Sequence, residues 1–330
     1  MRVGDRRALL RVRTLIRRFA PPSPDGRREG IAYLSVDVST ERTAWTFVTP
    51  ALIVIGGFFA VPVLAAFVLS LTDFDLYALA DLRNLRFVGF GNYLDVLRAP
   101  LFWKSLLNTL YFVGVGVPLS IGASLGAALL LNSPLARARG FFRTALFAPV
   151  VTTVVAVAVI WKYLFHTRYG LINWTLGQFG IAPIDWLGDP HYAMPAIIIF
   201  AVWKNFGYNM IILLARLQGI PQDLYEAARI DGASTWHQFR HITLPSLRPV
   251  LVLVGVITMA GYFQLFAEPY VMTLGNPLQS TYSVLYYMYE EGFMWWSLGR
   301  ASAIAFLLFA LMLVATRVLL RVARRSGEPT

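Results

Sequence analysis

Long apolar runs with few or no charges constrain this chain more than any other feature. Six segments, at about residues 46–71, 106–131, 144–161, 192–214, 250–266 and 298–320, are apolar enough to sit in hydrocarbon. Crossing a core of ~30 Å takes roughly 20 residues at 1.5 Å rise each, so each block reads as one spanning helix. The composition agrees: 57% of the 330 residues are hydrophobic and 14% are charged, where a soluble domain carries about 25% charge. The expected fold class is an all-α polytopic membrane protein with six transmembrane helices. Pro50, Pro62, Pro118 and Pro149 fall in or near spans, where neighbouring helices or water can satisfy the freed backbone groups and kinks are expected.

The formal net charge of +11 would point to nucleic acid in a soluble protein. Here the arginines crowd beside apolar blocks, which is the pattern of an orientation signal. They cluster before the first span (Arg2 to Arg42), between the second and third (Arg137, Arg139, Arg143), between the fourth and fifth (Arg216 to Arg248) and after the sixth (Arg317 to Arg325). All four regions fall on one side of a six-span chain, so both termini are expected in the cytoplasm. The alternate connections mix signs and carry Trp and Tyr, as an outer interface does. Cysteine is absent, which removes disulfides and thiol chemistry from consideration.

Residues 1–44 form a basic segment ahead of the spans. Within it, Leu9, Val12, Ile16 and Phe19 share one face of a helix with arginines on the rest. The pattern fits an interfacial amphipathic helix and equally a solvated basic tail. No continuous apolar core follows the basic run, as a cleavable signal peptide requires. Residues 45–325 make up the expected membrane domain and 326–330 a short tail.

The stretch 216–249 is long for a helix-helix connection. Its local chemistry predicts two short helices. Pro221 stops the preceding span, Asp223 and Glu226 stand at capping-box spacing, Gly232 is placed for a left-handed helix end, and Thr235 with Gln238 is spaced to cap a second helix that Pro245 terminates. Glu226-Ala227-Ala228, then Gly232, then Ile242-x-Leu244-Pro245 resembles the EAA loop of ABC importer permeases. The resemblance runs from about Trp45 to Arg325 and is nearest to the carbohydrate-uptake branch, similar to maltose- and glycerol-3-phosphate-type permeases. Phe87-x-Gly89-x-x-Asn92-Tyr93, Leu217-Gln218-x-Ile220-Pro221 and Gly299-Arg300-Ala301-Ser302-Ala303-Ile304 carry it outside the loop.

That resemblance implies the six-helix core of type I importers, working in the bacterial inner membrane with a second permease, two cytoplasmic ATPase subunits and an extracytoplasmic solute-binding protein. It makes Glu226, Ala227, Ala228, Asp231 and Gly232 the residues that couple to the ATPase. The chain's lysines, Lys104, Lys162 and Lys204, each follow a tryptophan, so none sits in a P-loop. No cofactor is expected on this chain, and ATP would bind the partner. His237 and His241 are four apart without a third ligand, a poor metal set.

Polar side chains within spans are costly in lipid and tend to face the bundle interior. Asn205, Tyr208 and Asn209 in the fourth span, with Thr258, Tyr262 and Gln264 in or beside the fifth, offer rings, amides and hydroxyls suited to a sugar, or alternatively serve as helix-helix glue. Lys204 either snorkels to the outer interface or contacts substrate, in which case a phosphate such as glycerol-3-phosphate also fits. A secondary transporter would call for acids at the centre of spans and for inverted repeats; neither is evident. A membrane scaffold would need no polar path.

Overall fold

The computed structural model describes residues 38–133 and 137–325. The amphipathic stretch near the N-terminus and the tail 326–330 lie outside the described residues. The described residues fall into two units that divide between Phe59 and Ala60. In the first, α1 (Val38–Ile55) contains Pro50; a π-turn at Gly56–Ala60 follows, at the boundary. The second begins with α2 (Val61–Ser70) and α3 (Leu76–Ala80), followed by α4 (Gly91–Arg98), α5 (Pro100–Asn132), α6 (Arg139–Val151), α7 (Val154–Leu164), α8 (Leu171–Gln178) and α9 (Pro190–Gln218). Next come α10 (Gln222–Ile230), α11 (Thr235–Gln238), α12 (Leu244–Phe263), α13 (Ala267–Met272), α14 (Val284–Tyr289) and α15 (Leu298–Arg325). Among the described residues the remaining regular structure is short 3-10 and π turns and one isolated bridge, Thr72 with Phe87.

Five helices are long and apolar enough to span a membrane; the sixth candidate is the pair α6 and α7, bent by 103°. The third apolar block, expected as one straight helix, is therefore broken. Pro149 supplies the cause. It lies inside α6, and its own carbonyl accepts from Thr152 Oγ1 at 2.6 Å and from the Thr152 N–H at 3.3 Å, closing the helix before α7 restarts. Two other prolines follow π-turns instead of ending helices. Pro62 comes after Gly56–Ala60, and Pro245 after Phe239–Thr243. The wider turn leaves a register in which the missing proline N–H breaks less of the ladder. Pro245 thus fails to terminate the second loop helix, which runs through into the fifth span as one segment, Thr235–Phe263.

The core of the second unit lies where α5, α9 and α12 meet. Phe112, Ile197, Ile198, Phe200, Tyr262 and Phe263 are buried there with Ile304 of α15. A second cluster, with Ala128, Met210, Leu213, Leu217 and Leu247, continues that seam toward the loop around α10. Close backbone approach is set by glycine at two points. A Cβ on Gly207 of α9 would stand 2.2 Å from the Leu146 carbonyl oxygen, and one on Gly116 of α5 would stand 2.6 Å from the Tyr262 ring. Hydrogen bonds add direction. Ser124 Oγ reaches the Phe206 carbonyl at 2.9 Å, and Asn92 Nδ2 donates to the Ser70 and Thr72 carbonyls at 2.9 and 2.7 Å. Asn92 thereby ties α4 to the end of α2.

At the end of the bundle away from α10, α9 starts on Asp189, whose carboxylate accepts from the His191 N–H at 2.8 Å. That backbone bond, then the His191 ring, holds Asp189 below the usual carboxylate range. The loop between α13 and α14 is pinned to the start of α5. Lys104 Nζ donates to the Leu278 carbonyl at 2.5 Å, and Asn108 Nδ2 to those of Gln279 and Tyr282 at 2.8 and 2.9 Å.

Candidate functional site

The residues singled out in the sequence gather in two places. The first is the loop between α9 and α12. Helix α10 starts at Gln222 with Pro221 as its N-cap and no side-chain cap bond, so the capping box expected of Asp223 and Glu226 does not form; proline has no polar side chain to close it. Glu226 instead faces Arg229 one turn on, at 3.8 Å, both exposed. Gly232 takes φ +79°, the left-handed conformation expected of it, and the Ala233 N–H returns to the Ala228 carbonyl at 2.8 Å. The second helix is capped by Ser234 and not by Thr235: Ser234 Oγ accepts from the His237 N–H at 3.3 Å. The register shifts by one because Gly232 ends α10 early enough to free Ser234.

Ala228, Asp231, Gly232, His237 and His241 border a hollow of about 530 Å³ in this turn. The two imidazoles stack at 4.0 Å, and among the described residues no cluster of three metal-ligating side chains exists. Glu226 and Ala227 are exposed and Ala228 half-buried. Ile230 and Trp236 are 88% and 68% exposed, and Trp236 stacks on Phe239 at 5.5 Å. Tyr225 OH and Thr243 Oγ1 share a hydrogen bond at 2.9 Å, which braces α10 against the start of the fifth span.

The second place is a cavity of about 320 Å³, in the size range of small-molecule sites. Asn205, Tyr208, Asn209, Thr258, Tyr262 and Gln264 all line it. Positions four apart on α12 put Thr258 and Tyr262 on one face. Asn209 Nδ2 donates to Thr258 Oγ1 at 2.8 Å, so this pair both joins α9 to α12 and faces the space. Phe112 of α5 stacks on Tyr262, with centroids 4.9 Å apart and planes at 27°, and forms an aromatic wall. Gly116 gives that ring its room.

Lys204 is placed differently. It is buried, is not among the lining residues, and its ammonium donates to the Pro149 carbonyl at 3.4 Å, at the break between α6 and α7. It neither snorkels outward nor enters the cavity. Two lining residues suited to substrate contact go unmarked by the sequence pattern. Phe112 is one apolar residue among many in its block and carries no distinguishing signal. Glu268 lies two residues past the end of the fifth block and reads as part of the following loop, yet α13 folds it back onto the cavity.

A family described as binding-protein-dependent transport system inner membrane component matches residues 102–327. The chain belongs to that family. Among relatives of this inner-membrane component, the lactose transport system permease protein LacF of Rhizobium radiobacter is 38% identical over 275 residues, covering 82% of this chain and 90% of LacF. The trehalose/maltose transport system permease protein MalF of Thermococcus litoralis is 38% identical over 286 residues, covering 86% and 94%. Among solved structures, a bacterial ABC transporter that imports the acidic polysaccharide alginate superposes with a TM-score of 0.73 at 22% identity, covering 89% of this chain and 99% of that one. The likeness shows the type I importer fold.

Proposed function

We propose that this inner-membrane component is the permease subunit of an ATP-driven importer for a neutral mono- or oligosaccharide. The cavity carries the reading: a stacked aromatic wall faces amides and hydroxyls, the combination that holds a sugar through ring contact and hydrogen bonds. LacF and MalF, named for lactose and trehalose/maltose, support the substrate class. A phosphate ester such as glycerol-3-phosphate fits less well, because Lys204 is turned toward Pro149 and away from the lining.

In this reading a second permease completes the path, a solute-binding protein delivers sugar from outside, and two ATPase subunits meet Glu226, Ala227, Ala228, Asp231 and Gly232 from the cytoplasm. Both chain termini lie on that same side. Closure of the ATPases rocks the spans between inward- and outward-facing arrangements, and this chain brings neither an ATP site nor a cofactor of its own. The test is reconstitution with the other subunits in vesicles and ATP-dependent uptake of labelled lactose, trehalose and maltose beside glycerol-3-phosphate. Uptake of the phosphate ester with none of the sugars would overturn the substrate class.

A further inference from the structure

Glu268 is the only acidic residue, and no basic one accompanies it, among the described residues that line the cavity. Its helix, α13, is short and packs against α7 and α9, which carries the carboxylate in from what the sequence presents as a loop. A charge withdrawn from water needs compensation. Burial pushes the Glu268 carboxyl above its usual range, and the Lys204 ammonium, itself outside the lining, opposes that by favouring the charged form. Nearby, the Tyr262 ring is 5% exposed; its hydroxyl lies beside Ser120 and Asn205 and closes a hydrogen bond with neither. The cavity therefore offers the carboxylate as an acceptor, while the unpartnered Tyr262 hydroxyl is itself buried. A polyol, whose every hydroxyl can donate, complements the carboxylate.

We propose that Glu268 determines the charge selectivity of the cavity: its carboxylate accepts hydroxyl hydrogen bonds from an uncharged sugar, offsets the Lys204 ammonium and disfavours anionic substrates. The hydrogen-bonding half rests on the sugar-import reading above; the charge half does not. Removing the carboxylate leaves the buried Lys204 ammonium without that opposing charge, so the preference of the space shifts toward anions.

The absence of cysteine from this chain makes a clean test. In the assembled importer, Tyr208→Cys, and separately Asn205→Cys, reports from the cavity through its rates of modification by an anionic (sulfonatoethyl) and a cationic (trimethylammonioethyl) methanethiosulfonate, followed by mass spectrometry of this chain. Glu268→Gln is expected to raise the anionic-to-cationic rate ratio by about ten-fold or more, Glu268→Asp to hold it within about two-fold, and a Leu278→Cys reporter to be insensitive. An unchanged ratio in Glu268→Gln at both reporters overturns the charge role. Lactose and trehalose uptake forms the second arm. Wild-type uptake by Glu268→Gln overturns the hydrogen-bonding role, whereas a ratio shifted by Glu268→Gln, together with a wild-type importer that moves neither sugar, overturns the sugar reading and leaves the charge role standing.

Discussion

The loop around α10 and the cavity behind α12 are built on opposite principles. The loop is contiguous in the chain and exposed, and its shape follows from neighbours a few residues apart, such as Gly232 at φ +79° and Ser234 capping His237. The cavity draws on α5, α6, α9, α12 and α13, and its geometry depends on helices meeting at Gly207 and Gly116. Local chemistry can make a surface for a partner to grip. Enclosing a substrate takes several helices held at fixed separations, and so it takes tertiary packing. The two regions should accordingly fail in different ways when altered.

The largest effect should come from Glu226→Lys, which reverses an exposed charge on the loop. We expect the ATPase subunit to be lost on co-purification at unchanged abundance of this chain, with the thermal midpoint of the permease pair unmoved. A variant that keeps its ATPase would sever the loop from coupling. Next is Gly207→Ala. Its methyl would meet a backbone oxygen at 2.2 Å, so α9 and α6 must separate; the cost, read by thermal unfolding in detergent, should reach about 3 kcal/mol, the upper end of overpacking penalties.

Gly116→Ala should cost less, about 1–2 kcal/mol, because a side-chain ring can give where a carbonyl cannot. Its signature is a rise in KM for sugar uptake with ATPase retention unaffected, and a normal KM would show that Tyr262 does not shape the site. The smallest effect belongs to Ser234→Ala. Loss of one cap should weaken the short helix α11 by about 1 kcal/mol, visible as faster amide hydrogen exchange at His237 without change at Thr258. Equal exchange changes at both residues would mean that loop and cavity are not independent.

Much of the loop is legible in its residues alone, because glycine at a left-handed position and proline beside a helix start act through their own backbone. The departures there are small shifts of register: Ser234 takes the cap expected of Thr235, and Pro221 stands at the N-cap of α10, where it cannot complete a capping box. Pro245 departs further: it follows a π-turn, and the helix continues through it. The cavity is half legible. Polar residues inside apolar blocks mark Asn205, Asn209, Thr258 and Tyr262, but the position of Lys204 in its block does not tell which way so long a side chain turns. Phe112 carries no signal in an apolar block, and Glu268 looks like loop.

The count of apolar blocks and the turn at Gly232 follow from the amino-acid order alone. Each depends on properties that travel with single residues or short runs: aversion to water and freedom at φ. It took the packed helices to bend the third block by 103°, to turn Lys204 onto the Pro149 carbonyl at that bend, and to return Glu268 to the cavity that Tyr262 also lines. Those outcomes depend on which helix backbones approach closely enough to enclose a charge, and that distance is a property of the bundle as a whole.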